Sequence, residues 1–270
     1  MDIFSTLEGK TFKLNKVNIE NNTIKKAPYY IKNEDGKYHY YAICPRCGNP
    51  IVIINLYKKN YEDNLKRKIK LHGRHLSKDI EGLAKYDNIK YKNCPLANPK
   101  TFGLTKRVSS NPINIIIRDI VENHKDEIHK DIQNIIGINI SKKLYNNLYD
   151  LYMNSCLYEY DHADEYNIPY VFIYTQSEIN LHMQYLKNNS MGKKIEEAIN
   201  NKSAGYKVEN NQIIPKTKNH YELGLILINH SVKDDKKQTF DMLINETINN
   251  KSINLFKVKI TYESYIYSDK

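Results

Sequence analysis

The chain of 270 residues has no tryptophan, only four cysteines, and no apolar run near the roughly 18 residues that a bilayer crossing needs. Its opening, MDIFSTLEGKTFKLNK, lacks a basic stretch followed by an apolar one, so no secretory signal is expected. Together these absences predict a cytoplasmic protein with no membrane partner. In such a reducing compartment four cysteines are not expected to form disulfides. No glycine-rich phosphate loop and no GxSxG elbow occurs, which removes the simplest nucleotide-binding and hydrolase readings. No internal repeat is found. Acid is also short: 31 Asp+Glu stand against 41 Lys+Arg, a net charge of +10. That excess points to nucleic acid or a nucleoprotein complex as partner, with an acidic protein surface as the rival. The richness in Lys, Asn, Ile and Tyr is also what an AT-rich genome produces, as in a bacterium or its phage.

The expected fold class is α+β, in two domains. Residues 1–104 read as a zinc-stabilised, β-rich domain. Residues 105–270 read as helices packed on an antiparallel sheet. In the first part, Asp35-Gly36 between two Tyr-rich runs signals a hairpin. PIVIINLY reads as a further strand, and NYEDNLKRKIKLHGRH as helical or irregular with Gly73 as its stop. The Pro-, Gly- and Ser-rich stretch CPLANPKTFGLTKRVSSNP marks the boundary. Beyond it, Asn111 or Ser110 can cap a helix with Pro112 at its first position. An isoleucine stripe then runs from Ile113 to Ile135, and Gly137 ends it. A second helix follows Ser141, with Leu144, Leu148, Leu151 and Tyr152 on one face. PYVFIYT reads as a short buried strand, and SEINLHMQYLKNNSMGKKIEEAI as one or two helices. The C-terminal portion reads as a hairpin with Asp234–Lys237 at its tip, followed by an edge strand from Phe256 to Ile260.

The chemistry concentrates in YAICPRCGNPIVII. Cys44 and Cys47 are two residues apart at the tip of a strand–turn–strand. A redox pair would open a helix, whose N-terminus activates the thiol, but GNPIVII is a poor helix start. Two merely buried thiols do not call for a proline between them and a glycine after. A tight turn that brings two thiolates onto one ion does. Gly48 tolerates the backbone angles such a turn needs, and Pro45 stiffens it. A structural zinc wants four ligands. Cys94 is the natural third, and His75 is favoured as the fourth because it lies beyond Gly73. His72 is the alternate, and Cys2His2 with both histidines also has workable spacing. Through CPRCGNP, residues 38–95 resemble a zinc ribbon or zinc knuckle, although a second CxxC is missing. The resemblance implies a structural Zn2+ held by Cys44, Cys47, His75 and Cys94.

The densest basic run supplies Lys66, Arg67, Lys68, Lys70 and Arg74 as a phosphate-tracking surface. Other constellations read as structural. His124 and His129 have the wrong spacing for a zinc protease and are assigned to a polar helix face. Asp161, Asp164 and Glu165 could hold Mg2+ in a nuclease but suit a solvated loop better. Tyr145, Tyr149 and Tyr152 are expected in the core, and Cys156 as a buried thiol. The functional expectation is a non-enzymatic nucleic-acid-binding accessory protein. The alternatives are a protein inhibitor or adaptor acting on a nucleic-acid-processing machine, and a metal-dependent nuclease.

Overall fold

In the computed structural model the described residues are 1–33, 36–57, 70–103, 105–218 and 220–267. They form two units, Met1–Lys100 and Thr101–Lys270, and the fold is α+β with antiparallel sheets throughout. Of the basic run, Lys66, Arg67 and Lys68 lie outside the described residues, as does Asp35 of the hairpin turn.

Short Tyr- and Ile-rich segments make the first unit. Its elements are β1 (Ile3–Ser5), β2 (Thr11–Lys13), α1 (Lys16–Thr23), β3 (Tyr30–Lys32), β4 (Tyr38–Ile43), β5 (Pro50–Ile54), β6 (His72–His75) and α2 (Asn88–Lys92). The strands run in the order β2-β1-β4-β5-β6, with β3 also paired to β4. Met1, just ahead of β1, exchanges backbone hydrogen bonds with Gly73 in β6, at 2.9 and 3.1 Å, so the sheet curls round towards its own far edge. The period of two along β4 and β5 sorts side chains into two cores. Tyr40, Ala42, Ile51 and Ile53 bury on one face with Phe4, Ile19, Cys44 and Cys94, while Tyr41 and Val52 bury on the other with Ile80 and Leu83.

One expectation fails here. Gly73 is not a stop but an interior strand residue opposite Ile53. A side chain there would meet Ile51 and Met1 at about 3 Å, so glycine is set by close approach rather than by chain termination.

The second unit comprises α3 (Pro112–Asn123), α4 (Lys125–Ile136), β7 (Ile138–Asn139), α5 (Lys142–Asn154), α6 (Ile168–Tyr174), β8 (Ile179–Asn180), β9 (Tyr185–Leu186), α7 (Ser190–Lys202), β10 (Tyr206–Glu209), β11 (Gln212–Pro215), β12 (Glu222–Val232), β13 (Gln238–Ile248) and β14 (Lys251–Thr261). Two four-stranded sheets result, β14-β13-β12-β8 and β10-β11-β9-β7. The caps are those the sequence signals: Asn111 before Pro112, Ser141 at α5, and Gly137 in the left-handed region at the end of α4. Leu223, Leu225 and Leu227 of β12 and Phe240, Met242 and Ile244 of β13 bury with the α3, α4 and α5 stripes in one core.

Four readings of this unit need correction. The isoleucine stripe is two helices, broken at His124. PYVFIYT is α6, a helix buried nearly all round, which carries no amphipathic period to separate it from a buried strand. SEINLHMQYL holds the short strands β8 and β9, and only the segment from Ser190 is helical. Leu151, expected on the buried face of α5, is 48% exposed, while Tyr145 and Tyr152 are buried. Among the described residues no helix is long and apolar enough to cross a membrane.

Candidate metal centre

Three elements converge on one point in the first unit. The β4–β5 turn carries Cys44 and Cys47. The Cys44 N–H bonds Asn49 O at 2.8 Å and the Gly48 N–H bonds Cys44 O at 2.9 Å, with Gly48 at φ 70°. That angle is the left-handed conformation for which glycine is the natural residue. β6 delivers His75 directly opposite Ile51, on the face that also carries Cys44 and Cys94. Cys94 follows α2, and its carbonyl is held by the N–H groups of Ala97 and Asn98 at 3.1 and 2.8 Å.

The ligand atoms of Cys44, Cys47, His75 and Cys94 all lie within 4.8 Å of one another. Cys44 Sγ is 3.7 Å from Cys94 Sγ, Cys47 Sγ is 3.4 Å from His75 Nε2, and Cys94 Sγ is 3.9 Å from the same nitrogen. A tetrahedral site with metal–sulfur bonds of about 2.3 Å and metal–nitrogen bonds of about 2.0 Å has S···S edges of about 3.8 Å and S···N edges of about 3.5 Å. The first two spacings match those edges, and the third, at 3.9 Å, is about 0.4 Å longer than the S···N edge. They are far longer than an S–S bond of about 2.05 Å, and all four cysteines are free.

His72 points elsewhere. It is three residues from His75 on one strand, so it projects from the opposite face, opposite Ile54, and its Nδ1 sits 2.9 Å from Lys70 O. The preference for His75 rested on a chain break at Gly73. The separation actually follows from strand alternation.

Three thiols this close shift one another's ionisation in opposite directions. Cys47, hydrogen-bonded by Cys44 and then Cys94, is driven well below the usual thiol range, and Cys44 as its donor is driven well above. The Cys94 thiol is lowered by its bond with Cys44, but its bond with Cys47 and burial outweigh that and push it up to about 11. A divalent cation would let all three ionise.

One residue of the site was assigned no role from sequence. Asn49 is wholly buried. Its Nδ2 donates to Cys47 Sγ at 3.2 Å and to Asp87 O at 3.1 Å, and its Oδ1 accepts from Asp87 N at 2.6 Å. The Asp87 N–H can only donate, so it fixes which end of the amide is oxygen. Asp87 in turn caps α2, its Oδ1 accepting from Ile89 N and Lys90 N at 2.9 and 3.0 Å. A continuous path of hydrogen bonds thus runs from the first cysteine pair to the helix that leads to Cys94. The available signal was an amide side chain inside CPRCGNP, between a knuckle and an apolar strand.

The remaining candidates do not form sites of this kind. Among the described residues, the only group of three or more metal-capable side chains is the cysteine–histidine cluster. Asp164 is buried rather than solvated, and its Oδ1 accepts from Tyr166 N at 2.8 Å. His129 is not on a polar face: it is buried and stacked on Tyr145 at 4.2 Å, whereas His124 lies 3.1 Å from Glu127. Cys156 is half-buried and accepts from the Tyr158 hydroxyl at 3.5 Å. Lys70 and Arg74 are exposed, Arg74 on β6 beside His75.

Compared with known protein families, curated proteins and solved structures, the chain matches none.

Proposed function

We propose that the first unit is a module held by a structural Zn2+, of zinc-ribbon or zinc-knuckle type, and that the protein uses this unit to bind nucleic acid as a non-enzymatic accessory factor. Three thiolates and an imidazole form a donor set that suits zinc. Four protein ligands leave no position for a reacting water, which favours a structural role over a catalytic one. When bound, the ion supplies a cross-link between the β4–β5 turn, β6 and the segment after α2, stabilising them by about 10 kcal/mol or more.

The observation that carries the nucleic-acid reading is where the charge lies. Residues 1–100 hold 20 Lys+Arg and 10 Asp+Glu, whereas residues 101–270 hold 21 of each. The net charge of +10 therefore belongs wholly to the metal-cluster unit. Genome-wide compositional bias would raise lysine in both parts alike. A concentration of positive charge on one unit is the footprint of a polyanionic partner.

Two measurements test this. Elemental analysis of the purified protein should find about one zinc per chain. Labelled RNA or DNA should be retarded with steep salt dependence. Absence of metal would overturn the zinc module, and indifference to naked nucleic acid together with co-purification of a protein would overturn the nucleic-acid reading in favour of an adaptor.

A further inference from the structure

At the end of β4 away from the cysteines, four tyrosines form a ladder. Tyr30 stacks on Tyr38 with ring centroids 4.8 Å apart and planes 17° from parallel. Tyr30 also meets Tyr40 at 4.5 Å, and Tyr40 meets Tyr57 at 5.9 Å. Tyr40 is anchored in the core at 5% exposure, while Tyr38 and Tyr57 at the two ends are 56% and 51% exposed. The row thus runs from solvent at Tyr38 through the core-anchored Tyr40 and back to solvent at Tyr57. With one face of Tyr38 on Tyr30, the exposed area belongs to its other face and its edge.

Cations surround the ladder. Lys16 and Lys25 Nζ lie 5.3 and 5.6 Å from the Tyr57 ring centroid. Lys32, exposed, sits directly opposite Tyr38 across the β3–β4 pair. Among the described residues one carboxylate meets the ladder, Glu20. It accepts from the Tyr57 hydroxyl at 2.8 Å and pairs with Lys25 at 3.3 Å, which orients Tyr57 and leaves Lys16 and Lys32 in excess.

We propose that this ladder is a stacking platform for single-stranded nucleic acid, with an unpaired base on the outer face of Tyr38 and the sugar–phosphate backbone following Lys32, Lys16 and Lys25. The proposal deepens the function proposed above and rests on it. A single strand is the occupant because only unstacked bases offer a ring face to an aromatic side chain, and the flanking charge matches its phosphates. Base–aromatic stacking tolerates any sequence, so little sequence preference is expected.

Absence of native tryptophan provides the probe. Tyr38→Trp makes a single-tryptophan protein whose emission should be quenched by oligothymidylate or oligouridylate. In fluorescence anisotropy with the same labelled strands, Tyr38→Ala should weaken binding by about 5- to 150-fold. Tyr38→Phe should retain affinity, because the ring and not the hydroxyl is used. Lys16→Ala should lower the slope of log affinity against log salt by about 0.7. Tyr38 is six residues from Cys44, about 20 Å along an extended strand, so zinc content should not change and serves as the folding control. Wild-type affinity in Tyr38→Ala, or preference for a duplex of the same length, overturns the platform and leaves the nucleic-acid reading standing. Failure of the unmutated protein to bind any strand at low salt overturns both.

Discussion

Asn49→Ala is the sharpest probe of how the metal centre is assembled. The substitution removes three hydrogen bonds at a position with no exposure to solvent. Each contributes about 1 kcal/mol net, and leaving the Asp87 N–H and C=O without their partner adds about 1–3 kcal/mol for each group that water does not reach. A destabilisation of at least about 3 kcal/mol in the first unit is therefore expected. Loss of the donor to Cys47 Sγ acts separately on the metal, and partners of this kind are worth about 10- to 100-fold in affinity. Competition for zinc against a chromophoric chelator measures the second effect, and thermal melting of the zinc-loaded chain the first. Asn49→Asp sharpens the test, since it keeps the shape but sets a carboxylate against a thiolate and cannot donate. It should bind zinc less tightly than Asn49→Ala. Zinc affinity unchanged in both variants would refute the claim that Asn49 couples the two halves of the site.

Two further outcomes follow from the geometry. His75→Ala should lose stoichiometric zinc, whereas His72→Ala, on the opposite strand face, should keep it; elemental analysis of both decides, and the reverse pattern would refute the ligand assignment. In the second unit His230 is buried between Phe102 and Phe240, its Nδ1 accepting from Phe102 N at 2.9 Å and its Nε2 lying 3.0 Å from Gln238 Oε1. Burial lowers its pKa to about 4, so the unfolded chain takes up this proton first. The neutral ring's contribution is then full above about pH 6.5 and is lost as the pH falls towards 4. The melting temperature of the second unit should fall over that window, with the decline reduced in His230→Gln. Asp241, held down to about 2 by Asn229 and Lys257, contributes to acid loss only below about pH 4.

The cysteine–histidine cluster was legible because its evidence is local. Cys-Pro-Arg-Cys-Gly at a strand end offers two candidate ligands and the turn that holds them, and Cys94 with His75 completes a set whose atoms do come together. Helix ends were legible for the same reason: Asn111 with Pro112, Ser141 and Gly137 each carry their own capping chemistry. What failed depended on contacts far along the chain. The strand identity of residues 72–75 comes from pairing with β5, which HGRH cannot announce. The helical state of PYVFIYT comes from burial on every side, which erases the periodicity used to tell a helix from a strand. The role of Asn49 depends on Asp87, 38 residues away, and no spacing rule connects them.

Charge and metal are coupled in a way that separates shape from electrostatics. Zn2+ with three thiolates and a neutral imidazole would carry a net charge of about −1, and without the ion Cys47 is the thiol driven low while Cys44 and Cys94 are driven up. On the proposed assignment, loading zinc would change the charge of the first unit little while it locked β4, β5 and β6 to the segment at Cys94. If affinity for a nucleic acid followed charge alone, the chelated protein would bind as well as the loaded one. If it needs lysines and tyrosines presented on a fixed sheet, chelation should weaken binding by at least tenfold, about 1.4 kcal/mol, and restored zinc should recover it. Anisotropy titration of one labelled strand before chelation, after it and after zinc is returned makes the comparison, with circular dichroism following the strand signal. Equal affinity in all three states would show that the basic unit acts as a charged chain and that the metal centre has no part in recognition.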